Sequence, residues 1–126
     1  MSTSFQLQNN ALKELPHNIE AEQGILGAIL LNNEIFFDIS ETINVEHFYE
    51  PVHKLIFDVI GKMISKGQIA TPITLKSFFE VEKNLEEIGG SNYLVRLANS
   101  AVSLDYAKNY AHIIYNLAVR RGLYEL

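Results

Sequence analysis

Apolar residues recur at helical spacing through most of this chain and never alternate over a useful length, a pattern that predicts helices and no sheet. The clearest stretch is PVHKLIFDVIGKMISKG. Val52, Leu55, Ile56, Val59, Ile60, Met63 and Ile64 share one face, with Lys54, Asp58, Lys62 and Lys66 opposite, which describes an amphipathic surface helix. Pro51 suits its first position and Gly67 its C-terminal cap. TPITLKSFFEVEKN repeats the logic, with Thr71 as N-cap, Pro72 first in the helix, and Ile73, Leu75, Phe78, Phe79 and Val81 supplying apolar surface. Upstream, NEIFFDIS offers a short helix with Ile35, Phe36 and Ile39 on one face, and NVEHFY a tight turn carrying two aromatics inward. Beyond Gly89 and Gly90, Leu94, Leu97, Ala98 and Ala101 mark a fifth helix.

Two stretches depart from simple amphipathicity. Ile19 to Leu31, capped by Asn18 with Glu20 and Glu22 in the first turn, is strongly apolar yet holds Gly24 and Gly27. Each glycine costs about 1 kcal/mol relative to alanine in a helix. The polar flanks leave the run short of the roughly 20 apolar residues a membrane span needs, and acidic rather than basic residues precede it, unlike a secretory signal. A buried helix remains, whose small face of Ala21, Gly24, Gly27 and Ala28 lets a neighbouring backbone approach. The last segment, from Ser103 as N-cap, is apolar on two faces. Tyr106, Tyr110, Ile113, Ile114 and Leu117 form one stripe, widened by Ala107, Ala111, Tyr115, Ala118 and Val119. Such a helix wants burial on more than one side, and five preceding helices cover only one.

Composition narrows the classes. At 126 residues and 48% hydrophobic, with seven glycines and three prolines, the chain suits one modest core preceded by a polar arm over residues 1–15. Zero cysteines exclude disulfides and thiolate metal sites and, without a targeting segment, favour the cytoplasm. The net charge of −5 is uneven: residues 1–50 hold eight acids against Lys13 alone, residues 51–95 balance, and residues 96–126 carry four bases against two acids. Nonspecific nucleic-acid affinity comes from basic groups displacing counterions, so tight direct DNA binding by this chain is disfavoured.

Catalytic chemistry is hard to place. The Gly61-Lys62 pair has Ile56 where a phosphate-binding loop needs its first glycine and Met63 where it needs serine or threonine. His17, His47, His53 and His112 show no metal-binding spacing and read as structural. Glu20 and Glu22, like Glu86 and Glu87, point to different sides of a helix and read as solvated. Tyr93 lies beside the Leu94/Leu97 stripe, as a half-exposed partner contact or as edge-of-core packing. Arg120 and Arg121 read as solvated rather than paired.

Taken together, LPHNIEAEQGILGAILLNN, EHFYEPVHKLIF, IGGSNYLVRLANS and YAHIIYNLAVRRGL resemble the N-terminal domain of the bacterial hexameric replicative DNA helicases, the DnaB family, over roughly Leu15 to Leu126. Thr71-Pro72 stands where such proteins often open the fourth helix with aspartate; threonine caps equally well. The resemblance implies an all-α fold, a compact bundle of about five helices over residues 16–102 followed over 103–126 by the first helix of a hairpin. It implies a scaffold without catalytic residues, cofactor or metal, the ATP- and Mg-dependent motor lying in a separate domain. Partners so implied are further copies, pairing through Tyr106, Tyr110, Ile113, Ile114 and Leu117 into dimers of a hexamer, and the DnaG-type primase, docking at Glu20, Tyr93 and Leu123. A helicase loader is a further candidate, little DNA binding is expected, and no membrane is involved. The competing reading is a freestanding helical adaptor of a replication or regulatory complex.

Overall fold

The computed structural model describes residues 15–125, with side chains through Gly122. The arm expected over 1–15 therefore lies, except for Leu15, outside the described residues. Among the described residues six α-helices follow in order: α1 Ile19–Leu31, α2 Ile35–Ser40, α3 Pro51–Ser65, α4 Pro72–Val81, α5 Gly90–Asn99 and α6 Leu104–Glu125. Short 3-10 turns lie at Val45–His47 and Glu86–Ile88.

Helix α1 is the axis of the domain, touching α2, α3, α5 and α6. Every residue from Gly24 to Leu30 is buried, which explains why this stretch is apolar all round. Its glycines answer to backbone neighbours. A Cβ built on Gly27 would lie 1.9 Å from the Leu97 carbonyl oxygen, so the end of α5 rests directly on α1 there. At Gly24 a Cβ would come within 3.2 Å of Val102 and of the Tyr110 ring, and the Gly24 carbonyl accepts from the Val102 N–H at 3.4 Å. The small face thus admits the α5–α6 connection and the root of α6.

Local signals set the boundaries. The Asn18 side chain accepts from the Ala21 N–H at 2.9 Å. Thr71 and Thr74 form a reciprocal capping box ahead of α4, and Pro72 occupies its first turn. Helix α3 ends where Gly67 adopts φ +76°, and the Gln68 N–H returns to the Met63 carbonyl at 2.9 Å, the six-to-one bond of a Schellman ending. Asn33 then pins the chain before α4 to the end of α1: its amide donates to Ala70 O and Ile29 O, and its oxygen accepts from Ala70 N, all at 2.8 Å.

Two expectations change. Of the five apolar residues read into α4, only Leu75 and Phe79 enter the core, while Ile73 and Val81 stand outward, because α4 sits at the periphery and packs mainly on α5. Helix α3 buries His53 and Phe57 besides its expected stripe, since α1 and the Val45–His47 turn cover it on both sides.

Candidate functional site

Helix α6 docks through its small residues. Ala107, Ala111 and Ile114 are buried against α1, α2 and the Val45–His47 turn. Ile114, placed by the sequence among the self-associating residues, is 1% exposed and belongs to the domain's own core. It shares the helical phase of Ala107 and Ala111, whose short side chains bring it inward. Tyr110 is partly buried over Gly24 and Leu117 is partly buried. Facing outward are Tyr106, Ile113, Tyr115 and Val119, exposed by 61, 39, 42 and 47%. Helix α6 therefore carries apolar side chains on both flanks of its docked face, Tyr106 and Ile113 on one and Tyr115 and Val119 on the other, with the exposed Asn109, His112 and Asn116 between them.

A second site is built from three stretches distant in sequence. Glu22, expected to be solvated, is 1% exposed. Its carboxylate reaches from α1 to the start of α3, accepting from the Tyr49 N–H at 2.8 Å, the Glu50 N–H at 3.3 Å and His53 Nδ1 at 2.7 Å. Glu50 makes no side-chain cap for α3, so Glu22 supplies the anion that the positive end of that helix favours. A carboxylate accepting from Nδ1 fixes the proton on that nitrogen of His53, leaving Nε2 to accept from the Tyr93 hydroxyl at 2.5 Å. The Tyr93 oxygen in turn accepts from the Gln23 amide at 3.2 Å. The His53 and Tyr93 rings are nearly parallel, 8° apart with centroids at 6.0 Å. Burial, more than the negative Glu50 and Glu22 nearby, raises the Tyr93 pKa above its ordinary 10.0, against the Gln23 hydrogen bond and the Arg96 charge. The phenol is thus a neutral donor.

Gly89 and Gly90 bring Tyr93 to this point. Both adopt positive φ, +92° and +78°, which turns the chain from the Glu86–Ile88 turn into α5. Tyr93 then forms one wall of a groove of about 370 Å³, with Ile19, Val52 and Ile88 as its apolar part and Glu50, Glu86 and Glu87 as acidic lining. Of the residues read as primase contacts, Tyr93 lines this groove, Glu20 is exposed on α1 outside its lining, and the Leu123 side chain lies outside the described residues.

Arg121 is not solvated. It is buried at the far end of α6, donating from Nη1 to Pro16 O at 2.9 Å and from Nη2 to His47 O at 2.6 Å. Its guanidinium lies 5.5 Å from the centre of the Tyr49 ring, and that ring stacks on His17 at 3.9 Å. Burial first, and the Arg121 charge second, lower the His47 pKa, with Glu46 opposing. Neutral His47 accepts the Asn44 N–H at Nδ1. Among the described residues no three acids or histidines gather as a metal site, and no helix is long and apolar enough to cross a membrane.

Sequence reasoning missed Glu22 and Arg121 as buried groups. The available signal for Glu22 was its phase: it sits three, four and seven positions before Ile25, Leu26 and Ile29, all fully buried.

Comparison with known proteins agrees with this architecture. Residues 14–116 match the family described as the DnaB-like helicase N-terminal domain. The replicative DNA helicase DnaB of Rickettsia typhi is 47% identical over 109 residues, and that of Buchnera aphidicola 36% over 96. These cover 86% and 76% of this chain, which spans only about a fifth of each relative, 22% and 21%. The crystal structure of the N-terminal domain of DnaB helicase from Mycobacterium tuberculosis superposes with a TM-score of 0.84 at 30% identity, covering 89% of this chain and 81% of that one. A DnaB-like replicative helicase, described together with its interactions with primase, gives 0.71 at 28% identity over 86% of this chain and 25% of its own. With the family model matching most of its length, the chain belongs to the family of DnaB-like helicase N-terminal domains.

Proposed function

We propose that this chain is the assembly and primase-docking domain of a hexameric replicative helicase, noncatalytic itself and joined to an ATP- and Mg-dependent motor that unwinds duplex DNA. The observation that carries the reading is one apolar flank of α6, exposed at Tyr106 and Ile113 and partly buried at Tyr110 and Leu117. Tyr106, Tyr110, Ile113 and Leu117 follow one another at spacings of four, three and four, the seam that packs one helix along another at a shallow angle. The partner is the second half of a hairpin and, through it, a second copy, so that paired hairpins build a collar of dimers. Family membership supports this, as do the curated relatives, all described as replicative DNA helicases.

Primase docking is supported by the structural neighbour described with its interactions with primase, and by a half-buried tyrosine beside an open groove, the kind of anchor that dominates protein interfaces. Tyr93 is its best-placed residue, with Glu20 exposed on α1 outside the groove lining and Leu123 kept as a contact on the family resemblance alone. The domain works in the cytoplasm and makes little direct contact with DNA, and a helicase loader is a further candidate partner.

Sedimentation over a concentration series tests the assembly reading. The parent chain should self-associate weakly, and Ile113→Asp or Tyr106→Asp should remain folded and monomeric. A parent that stays monomeric at millimolar concentration, both alone and mixed with the following hairpin helix as a peptide, would refute it.

A further inference from the structure

We infer that His53 is a positioning residue for partner docking: held by Glu22, it fixes the Tyr93 side chain in the one orientation that shapes the groove wall. The inference rests on the reading of Tyr93 as a primase contact and names what makes that contact work. Tyr93 is only half buried, and an interfacial tyrosine free to change rotamer would lose side-chain entropy on being immobilised. Here the hydroxyl is already tied, 2.5 Å from His53 Nε2. His53 cannot turn away, because it is fully buried and its other nitrogen is 2.7 Å from Glu22. Glu22 cannot turn away either, since two backbone N–H groups at the start of α3 hold its oxygens. The chain of donors runs one way, from Gln23 to Tyr93 to His53 to Glu22. Tyr93 and His53 each accept from one neighbour and donate to the next, so the phenol is pre-organised before any partner arrives.

The test separates the two halves of His53. In His53→Asn the shorter amide can still donate to Glu22 from near the place of Nδ1 but cannot reach the Tyr93 hydroxyl. Tyr93→Phe deletes the same bond from the other end together with the one from Gln23, and Tyr93→Ala removes the contact itself. Affinity for the C-terminal domain of the DnaG-type primase from the same genome is measured for each, with thermal melts as the check of folding.

His53→Asn and Tyr93→Phe should each weaken binding roughly three- to tenfold, and the double variant no more than Tyr93→Phe alone, since the His53 bond is already lost there. The Tyr93 hydroxyl proton, protected in the parent, should exchange freely in His53→Asn. A folded His53→Asn that binds like the parent, while Tyr93→Ala does not, overturns the positioning role but leaves the docking reading intact. Tyr93→Ala binding like the parent overturns the docking reading itself. Should His53→Asn fail to fold, Tyr93→Phe decides alone: full affinity without the hydroxyl overturns the inference.

Discussion

Replacing Gly27 by alanine tests the central packing of the domain. By propensity alone the substitution favours the helix by about 1 kcal/mol. The structure predicts the opposite sign. The added carbon would lie 1.9 Å from the Leu97 oxygen, 2.9 Å from the Ala101 nitrogen and 3.0 Å from the Ala101 Cα, all backbone atoms. No rotamer change relieves contacts of that kind, so α1 and the end of α5 must separate by about 1 Å or more, opening the packed interior around them. Overpacking of a well-filled core costs about 1–3 kcal/mol, and the upper end applies where only backbone can yield. Net of the propensity gain, Gly27→Ala should lose about 2 kcal/mol, a fall in Tm of roughly 6–12 °C for a domain of this size. Gly24→Ala is the internal control. Its added carbon meets the Tyr110 and Val102 side chains at 3.2 Å, which can shift by tenths of an ångström, so its loss should be about 1 kcal/mol or less. Urea melts followed by circular dichroism give both numbers on one chain. A Gly27→Ala protein as stable as the parent, or a ranking with Gly24→Ala the worse, would refute the account of why α1 carries glycines.

Other expectations follow from the same geometry. Glu22→Gln turns an amide donor toward some of the three donors that Glu22 accepts, and should cost about 2–4 kcal/mol by chemical melt, whereas Glu20→Gln should change stability by less than about 0.5 kcal/mol. Arg121→Ala strips two carbonyls of their partner and should lower stability by about 1–3 kcal/mol, with the loss visible as faster amide exchange at the end of α6. The His47 pKa is lower in the folded chain than the ordinary 6.5, so its stabilising contribution is full above about pH 6.5 and is lost as the pH falls through the folded value. Melts from pH 7.5 to 5 should show that loss, and His47→Gln should flatten it. Ile114→Asp should unfold the domain outright, and a folded, soluble Ile114→Asp protein would contradict the docking phase of α6.

What could be read in the sequence was local or periodic. Asn18, Thr71-Pro72 and Gly67 act within a turn of their own positions, so residue type alone placed the ends of three helices. The run from Gly24 to Leu30 and the stripe of α3 announced their burial by period. Partners far along the chain were invisible. Glu22 is buried because backbone donors and a histidine from residues 49–53 come to meet it, and no pattern within α1 indicates that they will. Arg121 depends on carbonyls 105 and 74 positions away. On α6 the sequence showed two apolar faces but not which one the globule would take; the alanines decided, and Ile114 went with them. At the candidate site Tyr93 was legible as an off-stripe aromatic, while its tether to His53 required the fold.

The clasp of Arg121 on Pro16 has a topological consequence. It brings the start and the finish of the domain to a single pole, so a protein fused ahead of Pro16 and another fused beyond α6 would emerge side by side. Fluorophores attached to two such fusions should transfer energy efficiently in the folded state and lose that efficiency when Arg121 is removed, long before the rest of the helices melt.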